Sequence, residues 1–291
     1  MRIAVTHVTR LDFGDEVSET VMDAHLGPRD DVDQRVARFA VRLEPGGHVR
    51  RYEDGFGNVA HLLTNMRPHR FLQVSTESEV HTYMTDPFQL APRPPRPPDV
   101  FHLADCLDPS PLVPRLAVLD EMAAPFRSDD NDRFDAVQKM AESIHRDFEY
   151  RSGVTDVTTS IEQIVDGRQG VCQDFTHLLL GMCRSIGIPA RYVSGYITQR
   201  TQSADAPAIP RAAQRSDGPS RGVGASHAWV EAFTPTHGWR GFDPTNNLVA
   251  NEYYVKVAIG RDYSDVPPTR GTYHGGPTEV LSVAVTARAL D

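Results

Sequence analysis

The chain has 291 residues, of which 40% are hydrophobic and 24% charged, which is ordinary for a globular protein and long enough for two domains. Its 39 acidic and 30 basic residues give a formal net charge of -9, which opposes binding to phosphate backbones, so we expect no nucleic-acid partner. Three cysteines are too few for a disulfide framework. Since no signal-peptide core or membrane-length apolar run is present, we expect a soluble cytoplasmic protein without a membrane partner.

The first 90 residues carry the signals of β-strands. Alternating or β-branched runs lie at residues 3–11, 39–43, 58–63 and 71–80. This pattern predicts an antiparallel N-terminal β domain over residues 1–90. The proline-rich stretch at 92–98 cannot donate sheet hydrogen bonds, so residues 91–110 are predicted to be a linker. A second domain is then predicted at 111–291.

Apolar residues at helical spacing follow the linker. Leucines within residues 112–119 predict a short helix. A second stripe predicts a longer helix with its N-cap among residues 129–131, and the stripe consists of Phe134, Val137, Met140, Ala141, Ile144 and Phe148. Thr159 and Glu162 have the spacing of a capping box, which predicts a further short helix.

A cysteine opens the next predicted helix. From Cys172 onward, apolar residues repeat at three-to-four spacing as far as Gly187, which is suited to be the C-terminal cap. In the first turn of a helix, unpaired N–H groups and the positive end of the dipole favour a thiolate. Cys172 is therefore a candidate nucleophile.

A strand is predicted at residues 191–197, before a polar loop at 199–225. Two further strands are predicted after the loop, at residues 228–233 and 239–242. A turn at 234–238 joins the last two strands, and this hairpin brings Asp243 within reach of His227, since cross-strand Cβ atoms lie about 4.5–5.5 Å apart. The carboxylate can hold one imidazole nitrogen and leave the other for sulfur. Cys172, His227 and Asp243 thus predict cysteine-dependent acyl-transfer chemistry.

A zinc site is the alternative use of these thiols. Cys172, His177 and Cys183 would supply its ligands. On one helix, however, the two thiols lie about 16 Å apart along the axis. This separation is too large for Zn–S bonds of about 2.3 Å. We therefore expect no metal at these residues, and no cofactor.

Several short segments resemble the transglutaminase-like superfamily, whose core is similar to that of papain-type cysteine proteases. The matching core residues are Gly170, Cys172, Gln173, Asp174, Arg191, Val193, Gly195, Tyr196, His227, Ala228, Trp229, Val230, Glu231, Phe242, Asp243, Pro244 and Thr245. Residues that resemble the bacterial branch are Asp54, Phe56, Gly57 and Asn58 and, in the tail, 260–268, Gly271 and Tyr273. The resemblance implies an α+β fold, in which the cysteine helix packs on an antiparallel sheet behind an antiparallel β domain. It also implies Cys172 as nucleophile, His227 as acid and base, and Asp243 as orienting acid.

The functional hypothesis is a thiol-dependent hydrolase of peptide or amide bonds that forms an acyl-enzyme. The N–H of Cys172 is one predicted oxyanion donor. Further contacts to substrate or oxyanion are predicted for Gln169, Gln173 and Trp229. Two alternatives stay open: an aminoacyltransferase that uses the same acyl-enzyme, and a noncatalytic interaction module. The choice between hydrolysis and transfer depends on how the cleft admits water and amines, which the sequence does not report.

Overall fold

The computed structural model describes residues 1–91, 100–127, 133–198, 221, 224–276 and 278–290. Within these ranges the chain forms two four-stranded sheets, one five-stranded sheet, one two-stranded sheet and five α-helices. No helix in this described part is long and apolar enough to cross a membrane. The two four-stranded sheets are built mainly from strands of the first 82 residues, and the five-stranded sheet belongs to the core that carries the cysteine helix.

Strands from both ends of the chain meet in the two four-stranded sheets. The first sheet has the order β15 (Glu279–Ala289), β1 (Arg2–Val17), β6 (His69–Thr82) and β3 (Gln34–Glu44). The second has the order β14 (Thr269–His274), β2 (Glu19–Gly27), β5 (Val59–Asn65) and β4 (His48–Glu53). Burial alternates along much of β1 and β6, as in strands with one face toward a core.

The C-terminal tail returns to the N-terminal sheets. Strand β15 pairs with β1 over its whole length, and β14 pairs with β2. The sequence analysis, which assigned residues 111–291 to one domain, did not predict that β14 and β15 pair with N-terminal strands. Strand partners so distant in sequence leave no local signal. The predicted division into domains stays a prediction, and residues 92–99 of the predicted linker lie outside the described residues.

Five helices precede or accompany the core sheet. They are α1 (Val100–Asp105), α2 (Ala117–Ala123), α3 (Phe134–Asp147), α4 (Ile161–Gly167) and α5 (Cys172–Ser185). The apolar stripe predicted for α3 is confirmed, since all six residues of that stripe are buried. Its predicted N-cap residues, 129–131, lie outside the described residues. Helix α5 begins at Cys172 as predicted, and Gly187 follows its end with a φ of +76°.

The capping box of α4 differs from the prediction. Ser160 is the N-cap: its hydroxyl accepts a hydrogen bond from Gln163 N at 3.3 Å, and Gln163 Oε1 accepts one from Ser160 N at 2.9 Å. The hydroxyl of Thr159 accepts a hydrogen bond from Asp156 N at 2.9 Å in the preceding turn. The capping box predicted at Thr159 and Glu162 is therefore wrong by one position.

The core sheet is antiparallel and supports the cysteine helix. Its order is β12 (Leu248–Val249), β11 (Gly238–Asp243), β10 (His227–Thr234), β9 (Ala190–Ile197) and β13 (Tyr254–Gly260). A short parallel pair, β7 (Glu149–Tyr150) and β8 (Gln169–Gly170), leads into α5. Helix α5 packs on β10 and β9. This arrangement confirms the predicted α+β fold, while most of the predicted loop at 199–225 lies outside the described residues.

Candidate active site

Cys172 stands at a well-fixed helix start with its side chain partly exposed. Val171 before it is extended, so the N–H of Cys172 has no partner within the helix. The carboxylate of Asp174 accepts hydrogen bonds from Val171 N at 2.8 Å and from the Thr155 hydroxyl at 2.7 Å. A Cβ at Gly170 would come within 2.8 Å of that carboxylate, so glycine permits the close approach. The candidate nucleophile is thus held rigidly.

The hairpin of β10 and β11 brings an imidazole and a carboxylate together. Val230 pairs with Phe242 in its register. Continuing the register by one residue places Asp243 opposite Trp229. Asp243 is then the diagonal cross-strand neighbour of His227 on the same face of the sheet. His227 Nε2 lies 2.8 Å from Asp243 Oδ2, and both side chains are fully buried. The structure therefore brings these two predicted residues into direct contact.

Five donors hold the Asp243 carboxylate. Oδ2 accepts from His227 Nε2, from Asn246 Nδ2 at 2.8 Å and from the Tyr254 hydroxyl at 2.9 Å. Oδ1 accepts from the backbone N–H groups of Thr245 at 2.9 Å and Asn246 at 3.1 Å. Burial alone would raise the pKa of Asp243, but the charge of His227 and the hydrogen bonds lower it. The carboxylate is therefore ionised at neutral pH.

The second nitrogen of His227 is left for the thiol. Among the described residues, Nδ1 makes no hydrogen bond. Burial alone would lower the pKa of His227, but Asp243 and, to a smaller extent, the nearby thiol of Cys172 raise it to about 10. With Nε2 engaged by the carboxylate, Nδ1 is the nitrogen that remains free to interact with the sulfur. An imidazolium in this position favours a thiolate beside it.

Two family models match this chain, one in each half. Residues 120–244 match the transglutaminase-like superfamily core, and residues 3–81 match the bacterial transglutaminase-like N-terminal region. An uncharacterized protein of Mycobacterium tuberculosis is 32% identical over 302 residues, which covers 98% of this chain and 91% of the relative. An uncharacterized protein of Mycobacterium leprae is 31% identical over 302 residues, with 99% of each chain covered.

The chain belongs to the transglutaminase-like superfamily. This superfamily includes cysteine-peptidase-like and transglutaminase members. Among solved structures, a candidate cysteine protease from Cytophaga hutchinsonii aligns with all of this chain and 91% of its own, with a TM-score of 0.75 and 23% identity. At that identity the likeness shows the fold alone, and it agrees with the architecture described above.

Aromatic rings surround the three residues in this superfamily member. Trp229 stacks on His227 with ring centroids 6.2 Å apart, and it meets Tyr254 edge-on at 5.2 Å. Because Trp229 is only 1% exposed, it supports the imidazole from within the protein. Burial raises the pKa of Tyr150 and of Tyr192, and the nearby Cys172 raises both further.

The other predicted contact residues lie beside the nucleophile. Gln173 follows Cys172 in α5 and is partly exposed. The amide of Gln169 donates to Glu149 Oε2 at 3.3 Å and accepts from Arg151 Nη1 at 3.5 Å, across the β7–β8 pair. Their contacts with substrate or oxyanion, and that of Trp229, stay predictions.

Two partners of Asp243 were missed by the sequence reasoning. Asn246 follows Asp243 by three residues, and its side chain also donates to Arg221 O at 3.1 Å. An asparagine at that distance after an aspartate is a common turn signal and could have been noticed. Tyr254 lies on β13, at the far edge of the sheet from β11, so no local pattern connects it to Asp243.

The remaining thiols are unsuited to the same chemistry. Cys106 and Cys183 are buried, and burial raises their pKa values to about 11 and about 12. Both therefore stay protonated at neutral pH. In the described part of the chain, no group of three or more His, Cys, Asp or Glu side chains is arranged to hold a metal ion.

Proposed function

We propose that this protein is a cysteine-dependent hydrolase of peptide or amide bonds that works through a thioester acyl-enzyme. The observation that carries the proposal is the position of His227 between the fully buried Asp243 and the partly exposed Cys172. A buried carboxylate stabilises the imidazolium, and the imidazolium stabilises a thiolate that substrate can reach. Membership in a superfamily with cysteine-peptidase-like members supports the same chemistry.

In the first step, the sulfur of Cys172 would attack the carbonyl carbon of the amide. The carbonyl oxygen becomes an oxyanion, and the N–H of Cys172 at the helix start would donate to it. The imidazolium of His227 gives its proton to the leaving nitrogen. The C–N bond then breaks, the amine leaves and a thioester remains on Cys172.

In the second step, water would resolve the thioester. Neutral His227 takes a proton from the water as its oxygen attacks the thioester carbonyl. The C–S bond breaks, the carboxylic acid leaves, and the thiolate and imidazolium are restored. Asp243 stays ionised throughout and keeps the ring in one orientation.

Intact-mass spectrometry tests the proposal with an unidentified substrate. The protein is incubated with a pool of short peptide amides and of glutamine and glutamate amides, and then quenched in acid. We expect a mass gain on Cys172 that hydroxylamine removes, together with release of the free acid. Cys172→Ala should abolish both, whereas Cys106→Ala, which removes a buried thiol, should retain them.

Two outcomes would count against the proposal. If no member of the pool gives an adduct or a hydrolysed product, hydrolysis by this thiol is contradicted. If a primary amine added at modest concentration receives most of the acyl group, the activity is amine transfer instead of hydrolysis.

A further inference from the structure

The outer edge of β13 is covered by two side-chain amides from the N-terminal half, residues 1–91. Gln34 Nε2 donates to Lys256 O at 2.7 Å, and Gln34 Oε1 accepts from Lys256 N at 2.8 Å. Asn58 Nδ2 donates to Ile259 O at 2.7 Å, and Asn58 Oδ1 accepts from Ile259 N at 2.8 Å. Each amide supplies the pair of hydrogen bonds that an adjacent strand would supply to an edge strand.

Both amides are buried and fixed by their own neighbours. Asn58 is 0% exposed, and the carboxylate of Asp54 accepts from its backbone N–H and from its side-chain amide, each at 2.9 Å. Asp54 also accepts from Phe56 N at 2.8 Å, so the N-terminal motif forms a turn that presents Asn58 to the core. Gln34 is 2% exposed and donates to Arg29 O at 2.6 Å as well.

Further contacts from the N-terminal half reach the same strand and the residues just before it. Lys256 Nζ lies 2.6 Å from Asp31 and also contacts Glu231 of β10. The hydroxyl of Thr82 donates to Glu252 O at 2.6 Å. Residues outside the core sheet therefore help to fix the position of β13, in addition to its pairing with β9.

Strand β13 also carries Tyr254, whose hydroxyl donates to Asp243 at 2.9 Å. We propose that the N-terminal half positions the acid of the triad: Gln34 and Asn58 fix β13, and β13 holds the Tyr254 hydroxyl against Asp243. This inference rests on the proposed function, in which Asp243 orients His227. The three residues are positioning residues, because they act through Asp243 and not on substrate.

Titratable groups from several elements lie at Asp243 or beside the other two residues of the triad. They are Tyr254 on β13, His227 on β10, Cys172 on α5 beside His227, Tyr150 and Tyr192 beside Cys172, Asp174 on α5, and His145 on α3, whose ring bonds to Thr245 O at 3.0 Å. Asp243 is the carboxyl that contacts the imidazole. Removing a hydrogen-bond donor from Asp243 raises its pKa, so the ring loses its charged partner at a higher pH.

Alkylation of Cys172 by iodoacetamide reports on this arrangement without a substrate. The rate is followed by mass spectrometry from about pH 8 down to about pH 3, so that the acid-side limit of the fast reaction of the thiolate and imidazolium pair falls within the range. We expect Tyr254→Phe to raise the acid-side midpoint of the fast reaction by roughly one pH unit. Gln34→Met, which keeps the side-chain size but loses the amide, should shift the midpoint in the same direction by less.

Matched controls separate positioning from general loss of stability. Tyr196→Phe removes another buried hydroxyl, which bonds to His7 at 2.8 Å. Asn65→Leu removes a buried amide that bonds to Pro45 and Arg67 in the N-terminal half. Both controls should leave the midpoint unchanged even where they lower the melting temperature.

A double variant tests whether Gln34 acts through Tyr254. If it does, Gln34→Met shifts the midpoint in the wild-type background but not in the Tyr254→Phe background. Equal shifts in both backgrounds, or no shift in Tyr254→Phe alone, overturn the inference. If Gln34→Met does not fold, Asn58→Leu is used in its place. By contrast, a wild-type Cys172 that reacts no faster than Cys106 and Cys183 overturns the proposed function itself.

Discussion

His227 and Asp243 form a fully buried pair, with Nε2 and Oδ2 2.8 Å apart. Opposite charges attract strongly where water is excluded, and removing one partner leaves the other unpaired at high cost. Asn246 and Tyr254 donate to the same carboxylate oxygen, so the ring is held in the one orientation that leaves Nδ1 for Cys172. The reactivity of the thiol and part of the stability of the fold should therefore depend on this pair.

Iodoacetamide should modify one thiol in the folded protein. Cys172 is partly exposed beside His227, whereas burial keeps Cys106 and Cys183 protonated. At mildly acidic pH we expect Cys172 to react more than about tenfold faster than the other two, and all three to react in urea. Peptide mapping by mass spectrometry measures this. His227→Ala should remove the faster labelling of Cys172. The control His69→Ala, which removes a buried histidine of the N-terminal sheets, should keep it. Equal labelling of all three thiols in the native protein would disprove the site.

Asp243→Asn should slow the chemistry with little change in size. A neutral amide does not stabilise an imidazolium, so we expect alkylation of Cys172 at mildly acidic pH to slow. Any amide hydrolysis should fall by about 10²- to 10⁴-fold. Since the new NH₂ group meets other donors, the free energy of unfolding should also fall by about 1–3 kcal/mol. Asp262→Asn is the control, because Asp262 is a buried carboxylate that bonds to Ser264 and Leu112 instead. Retention of fast alkylation in Asp243→Asn would show that the carboxylate has no role in activating the thiol.

Alkaline stability should depend on His227. Burial alone lowers its pKa, but Asp243 and Cys172 raise it to about 10, against about 6.5 in the unfolded chain. The resulting stabilisation is fully present below about pH 6.5 and is lost as the pH rises through about 10. Urea titrations should therefore show a fall in unfolding free energy, on the order of a few kcal/mol, from about pH 7 to about pH 10. His227→Gln should show a smaller fall, and an equal fall in both proteins would argue against a buried imidazolium.

Gly195→Ala should disturb the support of the imidazole. Gly195 pairs with His227 across β9 and β10, and an added Cβ would lie 2.5 Å from the Trp229 ring and 2.2 Å from Val255 O. We expect the free energy of unfolding to fall by about 1–3 kcal/mol and alkylation of Cys172 to slow, because Trp229 stacks on His227. Chemical unfolding and labelling rates measure the two effects. Gly55→Ala, which adds a Cβ in open space, should change neither; normal labelling in Gly195→Ala would mean that Trp229 does not support the ring.

Local patterns predicted the elements that carry the site. Apolar spacing located α3 and α5, and the turn at 234–238 set the hairpin in which His227 meets Asp243. The capping box of α4 was predicted one residue too early because Thr159 and Ser160 each have a Glu or Gln three residues later. Which hydroxyl caps the helix depends on the preceding turn, where Asp156 engages Thr159.

The amino-acid sequence determined the family and the fold class. It also placed Cys172 at a helix start and His227 and Asp243 on a hairpin, because periodicity, turn residues and motif spacing are properties of neighbouring residues. Only the tertiary structure showed that Tyr254 bonds to Asp243, that Gln34 and Asn58 cover the edge of β13, and that the C-terminal strands complete the N-terminal sheets. These contacts join segments far apart in the chain, and they form because buried polar groups and open strand edges require partners wherever the fold supplies them.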